Sequence, residues 1–553
     1  MVAELVLTGG AVYTVDSARR WAEAVAVQSG RIIAVGTEAE IRPLIGPRTR
    51  VVELGGRMVL PGFQDAHLHP ALGGRADAQC PLDGAADGQA YLTLVARYAA
   101  EHPEASWIVG RGWAMDVFPG GTPDKASLDA VVPGRPVFLK NRDGHLAWVN
   151  SAALKASGVG RGTLDPSDGR IERDAGGEPS GTLHEGAMAL VERHIPPATQ
   201  AEWEEAIGRA QAHLHSQGIT AWQDAAVTPQ MLAAYRALAG RGELTARVIA
   251  ALTWDRERGE AQVTDLLARR SWGTLGRLRA TTVKIFQDGL LGNRTAALLE
   301  PYCDASDRSS TERGISLIEA EALKRYVTRL DREGFQVHVH AIGDRATREA
   351  LDAFETARRA NGRHDLRHHI AHAILVDQAD VPRFKALDVT ATVQPFWAFD
   401  SRHRQALTRP ALGPARTERL YPFQSLRRAG ASIAFGSDWP VSTASPLLAI
   451  EVAVTRVDPD DRRGAPFLSY ERLDMPEAIA ASTIGSAYVN HLDHETGIIE
   501  AGKLADLIVL DRNLFDADGG PIGEARVLLT LIEGVVVHAD SSAGWLPASL
   551  GVT

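Results

Sequence analysis

The stretch Met58-Val-Leu-Pro-Gly-Phe-Gln-Asp65-Ala-His67-Leu-His69 runs from an apolar, strand-like segment into two histidines one residue apart. In an extended chain residues i and i+2 project to the same side, so both imidazoles can converge on one ion. The segment before them, residues 58–63, is the first of eight short apolar strand candidates. The others are 219–223, 247–252, 282–286, 336–340, 368–372, 389–394 and 432–436. Between most of them apolar residues recur at three- and four-residue spacing, as in 201–216, 319–333 and 345–360, and predict helices. Strands and helices alternating in this way predict an α/β fold, a (β/α)8 TIM barrel.

Working outward, residues 5–15 and 22–35 are apolar, β-branched runs, the second interrupted by Gln28-Ser-Gly-Arg31, a hairpin turn. Similar texture returns only in 505–510 and 527–538. The termini are therefore expected to meet in a small β-sandwich domain, with 1–57 and 491–553 framing a barrel over 58–490. Residues 71–197 are too long for one strand–helix connection and contain their own apolar runs, Trp107-Ile-Val and Pro136-Val-Phe-Leu. They are read as a subdomain or lid inserted after strand one.

The 553 residues carry 59 Lys+Arg against 69 Asp+Glu, a net charge of −10, and 45% are hydrophobic. That balance supplies a core and excludes wholesale disorder. It also lacks the basic surplus of a nucleic-acid binder. Cys80 and Cys303 are too few for a disulfide framework or a thiolate zinc site. The N-terminal stretch has no basic leader, and no run of 18 apolar residues occurs. A soluble, cytoplasmic protein acting on a small molecule is expected, with no nucleic-acid or membrane partner; homodimerisation is left open.

The chemistry gathers at strand ends. Strand five ends in His338-Val-His340, strand six in His369-Ile-Ala-His372 and strand eight in Gly436-Ser-Asp438. Catalytic residues of such barrels cluster where strands leave the C-terminal face, so His67, His69, His340, His372 and Asp438 would share one mouth. Imidazoles and a carboxylate suit a divalent first-row ion, zinc foremost. His338, His368 and His369 compete for these roles but lie farther from their strand ends. Lys284, in Thr282-Val-Lys284-Ile-Phe286, is one of seven lysines in a chain with 52 arginines. A lysine kept at an apolar strand end points to its amine, which can take up carbon dioxide to form a carbamate ligand; a guanidinium stays charged.

The set His67-x-His69, Lys284, His340, His372 and Asp438, in this order, resembles the amidohydrolase superfamily, and within it the YtcJ-like branch that includes N-substituted formamide deformylases. Further matching stretches are Arg142-Asp-Gly-His-Leu-Ala-Trp-Val-Asn150, Gly177-Glu-Pro-Ser-Gly-Thr-Leu-His-Glu185, Lys284-Ile-Phe-Gln-Asp-Gly289, His340-Ala-Ile-Gly-Asp-Arg-Ala346 and Phe435-Gly-Ser-Asp-Trp-Pro440. The chain departs from the pattern at Ala371, where the resemblance implies an acid beside His372.

The resemblance implies a metal-dependent hydrolase of amide-type C–N bonds in N-acyl or N-formyl small molecules. One or two ions would be held by His67, His69, Lys284 (carboxylated), His340, His372 and Asp438. Such an ion lowers the pKa of water and polarises a carbonyl. Asp438 would take the water's proton and pass it to the leaving nitrogen. His145 would hydrogen-bond the substrate carbonyl. Trp113, Trp148, Phe396, Trp397 and Trp439 are candidates for an apolar substrate pocket, and Asp288 and Arg294 for ordering the loop after strand four. Two alternatives stand beside this reading: another metal-assisted reaction (deamination, lactone or ester hydrolysis, decarboxylation) and a non-catalytic, metal-binding regulatory protein.

Overall fold

The structure, a computed structural model, describes residues 2–303, 311–516, 518–541 and 545. Eight parallel strands pair in chain order: Phe63–Leu68, Ile219–Val227, Arg247–Thr253, Leu278–Phe286, Gln336–Ala341, His369–His372, Thr390–Val393 and Ile433–Phe435. They are numbered one to eight below. At the seam between strands eight and one, the Asp438 N–H donates to the His67 carbonyl at 2.8 Å and the His69 N–H to the Trp439 carbonyl at 2.7 Å. A side chain at Gly436 would place its Cβ 2.6 Å from His67 Cβ, so the close approach here requires glycine.

Helices follow the strands because their apolar residues fall on one face. Ala320–Arg332 buries Leu323, Val327 and Leu330, a three- to four-residue spacing, against the sheet. The helix Gln200–Ser216 starts at Thr199, which forms a reciprocal capping box with Glu202.

The strand expected over 58–63 is corrected. It divides at Gly62 into Met58–Pro61, which pairs with Ala11–Tyr13 and Leu507–Leu510 in a terminal sheet, and Phe63–Leu68, which is barrel strand one. His67 therefore lies within strand one and His69 just beyond it, and the edge between sandwich and barrel moves from 57/58 to Gly62. The terminal sheet has six strands, three from each end of the chain. A four-stranded sheet of Arg31–Gly36, Ala24–Gln28, Leu5–Thr8 and Arg50–Glu53 faces it. Leu7, Val25 and Val52 from one sheet meet Val59, Leu507 and Leu529 from the other in a shared core. Ser29 and Gly30 both have positive φ, 49° and 76°, as a two-residue hairpin turn needs. Residues 542–544 and 546–553 of the C-terminal segment lie outside the described residues.

Between strands one and two the chain builds a separate six-stranded sheet from Cys80–Pro81, Ile108–Trp113, Val137–Asn141, Leu146–Val149, Gly169–Arg173 and Pro179–Glu185. This insert has its own apolar core, with Tyr91, Val95, Trp113, Leu139 and Trp148 fully buried.

Candidate metal centre

Strand one delivers His67, and strand eight, across the glycine seam, delivers Asp438. His67 Nε2 lies 3.3 Å and His69 Nε2 3.1 Å from Asp438 Oδ1. One donor atom from each of the three residues falls within 4.8 Å of the others.

Neighbours fix which nitrogen of His67 carries its proton. Gln223 Oε1 can only accept, so His338 Nδ1, 2.6 Å away, donates to it. His338 Nε2 must then accept, and His67 Nδ1 donates to it at 2.7 Å. The Nε2 lone pair of His67 consequently faces the Asp438 oxygen, an arrangement of two acceptors that calls for a cation. Gln223 is itself held by His369 Nε2 at 3.0 Å, and its amide nitrogen donates to Gln336 and Asn490, both at 3.2 Å. His372 Nδ1 likewise donates to Gln394 Oε1 at 2.8 Å, which leaves its Nε2 as a lone pair.

His372 sits between His67 and His340, with ring centroids 4.8 and 4.5 Å away. Burial, then the neighbouring Lys284 for His67 and neighbouring imidazoles for His340 and His372, hold these three rings well below the ordinary histidine pKa, in the neutral form that ligates metal. Burial opposes the charge on Asp438, yet His67 and His69 hold its pKa well below the usual carboxylate range.

Lys284, fully buried on strand four, has an Nζ without any hydrogen-bond partner among the described residues, 4.8 Å above the Phe286 ring. Burial brings its pKa down to about 7, with Asp438 pulling the other way. Asp438 Oδ1 and His69 Nδ1 are buried and unpartnered as well. Buried polar atoms are rarely left so. The donor set fits a divalent ion. Three residues here hold positive φ: His372 at 78°, Asp438 at 54° and Glu185 at 48°. Such strain concentrates at functional sites.

The insert completes the mouth. His145 lies 5.3 Å from the His340 ring and pairs through Nδ1 with Glu185 Oε2 at 2.8 Å. Burial works against a charged His145, but Glu185 raises its pKa above the ordinary value. Glu185 is fixed by the Thr295 hydroxyl at 2.8 Å and the Asn293 amide at 3.3 Å.

Asp288 accepts the N–H groups of Ala297, Ile342 and Gly343 at 2.8–2.9 Å, which ties the loops after strands four and five together behind His340. Arg294 pairs with Glu312 at 3.3 Å. His368 points away from the mouth to Asp331, at 3.0 Å. Sequence reasoning missed Gln223 and the carboxylate of Glu185 as site-building groups. An isolated Gln in a strand carries no pattern, and the stretch Gly177–Glu185 gives no sign by itself of what its carboxylate will meet.

The aromatic candidates divide. Trp397 stacks on His372, with centroids 5.6 Å apart and planes 8° apart. Phe396 and Trp439 line a cavity of about 560 Å³ beside the centre. Trp113 and Trp148 are corrected: both are fully buried in the insert's core, with indole N–H groups spent on the Leu139 and Asp124 carbonyls, and neither offers surface to a ligand. Ala371 is buried between its neighbouring strands.

A family profile described as amidohydrolase family matches residues 50–538. The chain belongs to the amidohydrolase family. It is 32% identical to the putative amidohydrolase YtcJ of Bacillus subtilis, over 96% of this chain and 99% of that one. It is 29% identical to the N-substituted formamide deformylase of Arthrobacter pascens, over 96% and 98%. Among solved structures, an uncharacterised metal-dependent hydrolase from Pyrococcus horikoshii superposes with a TM-score of 0.70 at 28% identity, over 92% of this chain and 97% of that one. This amidohydrolase is a metal-dependent hydrolase built on the expected barrel. No helix among the described residues is long and apolar enough to cross a membrane.

Proposed function

We propose that this amidohydrolase cleaves an amide-type C–N bond in a small N-acyl or N-formyl compound, consuming water and releasing a carboxylic acid and an amine. The observation that carries the reading is the meeting of the His67 and His69 imidazoles with a buried, unpartnered Asp438 carboxylate oxygen. His67, His69, His340, His372, Asp438 and carboxylated Lys284 would hold the divalent metal, zinc foremost. When bound, that ion supplies Lewis-acid polarisation of a carbonyl and acidifies water.

The chain's own groups do the rest. Asp438, poised as a carboxylate, accepts the proton of the attacking water and returns it to the departing nitrogen. His145, whose pKa Glu185 raises against the effect of burial, donates a hydrogen bond in its protonated form to the substrate carbonyl oxygen as negative charge develops on it. Lys284, with a pKa of about 7, presents at neutral pH a sizeable fraction of the free amine that adds carbon dioxide.

The test is a panel of N-formyl and N-acetyl amines, the matching esters, and aminopurines, run on zinc-loaded protein with amine release as the readout. Amine release from the amides, lost in Asp438→Asn by about 10³-fold or more with an unchanged melting temperature, is expected. Turnover of esters or aminopurines alone overturns the amide assignment.

A further inference from the structure

The cavity beside the metal centre is walled on the barrel side by Phe396 and by the loop from Trp439 onward, which continues directly from Asp438. Gly73 gives the Trp439 ring its place, since a Cβ there would lie 2.3 Å from it. The insert adds Arg111 and Arg142 to the same wall. Arg111 leaves its strand at a bulge, where the register shifts between Arg111 and Trp113 and Gly112 has φ of 106°. A bulge of this kind re-aims a side chain; here it separates Arg111 from Trp113, which stays in the insert's core.

Among the described residues no ion pair or side-chain hydrogen bond engages the guanidinium of either arginine, whereas Arg247, Arg348 and Arg367 are each paired with carboxylates. Arg209, which also lines the cavity, is already committed to the Gly74 carbonyl and to Glu205. Asp83 is the one carboxylate on this lining, and no ion pair joins it to either guanidinium. The wall thus carries uncompensated positive charge next to an apolar aromatic surface. Burial lowers the pKa of Arg111, with Asp83 and Asp438 as the charges that oppose this, so Arg111 lies within electrostatic reach of the metal centre. A guanidinium drawn out of water with its donors unused is stabilised by a ligand that supplies the missing acceptors, and its planar fork matches a carboxylate.

We infer that the substrate of this amidohydrolase carries a carboxylate, bound by Arg111 with Arg142, while its apolar part lies on Phe396 and Trp439 and its amide carbonyl faces the metal centre. The inference rests on the amide-hydrolase reading and names its substrate class, amides of amino-acid type. Arg111 is a specificity-determining residue in it.

The test compares N-formylphenylalanine with N-formyl-2-phenylethylamine, which differ only in the carboxylate, on zinc-loaded protein. The expected result is a kcat/KM about 10- to 100-fold higher for the acid, and a selective loss of that advantage in Arg111→Gln, chiefly through KM, with the neutral amide little affected. Arg142→Gln, at an exposed position, should give a smaller loss of the same kind and guards against a folding defect in the first variant. Equal use of both amides by the wild type, or an equal fall on both in Arg111→Gln, overturns the inference. Calorimetric binding of 3-phenylpropanoate against 3-phenylpropanamide separates the two readings. If neither amide is hydrolysed but the acid binds about tenfold tighter in an Arg111-dependent way, the carboxylate site stands and the amide reading falls. Binding without that preference removes the carboxylate site.

Discussion

The carboxylate of Asp438 faces the Nε2 of His67, whose proton is committed to His338, and that single fact sets the character of the centre. His67 receives its orientation from His338 and Gln223, groups that touch no ligand of their own. Lys284 is the residue most open to a decisive substitution. Lys284→Arg keeps the cation but not the reactive amine, and its hydrolytic rate is expected to fall by about 10³-fold or more in amine-release assays. Activity near wild type would exclude a carbamate.

Asp331 offers a pH test remote from the centre. Burial opposes its charge, but hydrogen bonds from His368 and Asn361 win and place its pKa below 3.8. A carboxylate depressed on folding stabilises the fold fully above its unfolded value and loses that contribution as pH falls through the folded one. Asp331→Asn should therefore cost about 1–2 kcal/mol at pH 7 in urea melts. The gap between the two proteins should shrink below about pH 3.8. At this scale the histidines gathered at the barrel mouth were legible because alternation within a strand and position at its end are local properties. The orienting role of Gln223 was not, because its partners come from strands five and six and from Asn490, and only the closed barrel brings them together.

At the scale of elements, the seam between strands one and eight is a close contact that bears directly on the centre. Gly436→Ala would drive a methyl group into His67, with the built Cβ 2.6 Å from His67 Cβ and 2.9 Å from its backbone nitrogen. Overpacking of this kind costs about 1–3 kcal/mol, and here it should also part His67 from Asp438. A lowered melting temperature together with weakened zinc binding is expected; normal zinc affinity would show that the seam tolerates the methyl group. The strand that sequence misplaced is instructive beside this. Residues 58–63 read as one apolar strand because both Met58–Pro61 and Phe63 are buried, and burial alone does not say against which sheet. The break at Gly62 is where the chain leaves the sandwich: a Cβ there would meet Thr220 at 2.4 Å, and its N–H donates to the Asp506 carbonyl at 2.8 Å. Strands two to eight, by contrast, were found within a few residues, because each is a short apolar run bounded by helical periodicity.

Taken as one body, the molecule ties its sandwich to its barrel with buried charge. Arg247, at the start of barrel strand three, pairs with Asp506 and Glu533 from the C-terminal segment. Removing the cation leaves Asp506 buried without its partner, so Arg247→Met should cost about 3–5 kcal/mol and lower the melting temperature markedly. A loss below about 1 kcal/mol would mean that water takes over the role of the guanidinium. That the two ends of the chain form one sandwich was visible in matching β texture. The family resemblance already set His145 of the insert at the mouth; that Arg111 lines the neighbouring cavity was not visible, because nothing local in it announces which barrel loop it will face.

The insert departs just after the first two ligands and returns at Thr199 to begin the helix that precedes strand two. Every candidate histidine ligand and Asp438 belong to the remaining chain. The candidate ligands therefore sit on one length of polypeptide, and His145, Glu185 and Arg111 on another that can be separated from it. A graft of this one segment from a homologue, joined near Gly73 and Thr199, would exchange the wall that greets the incoming molecule and leave the ligand set untouched.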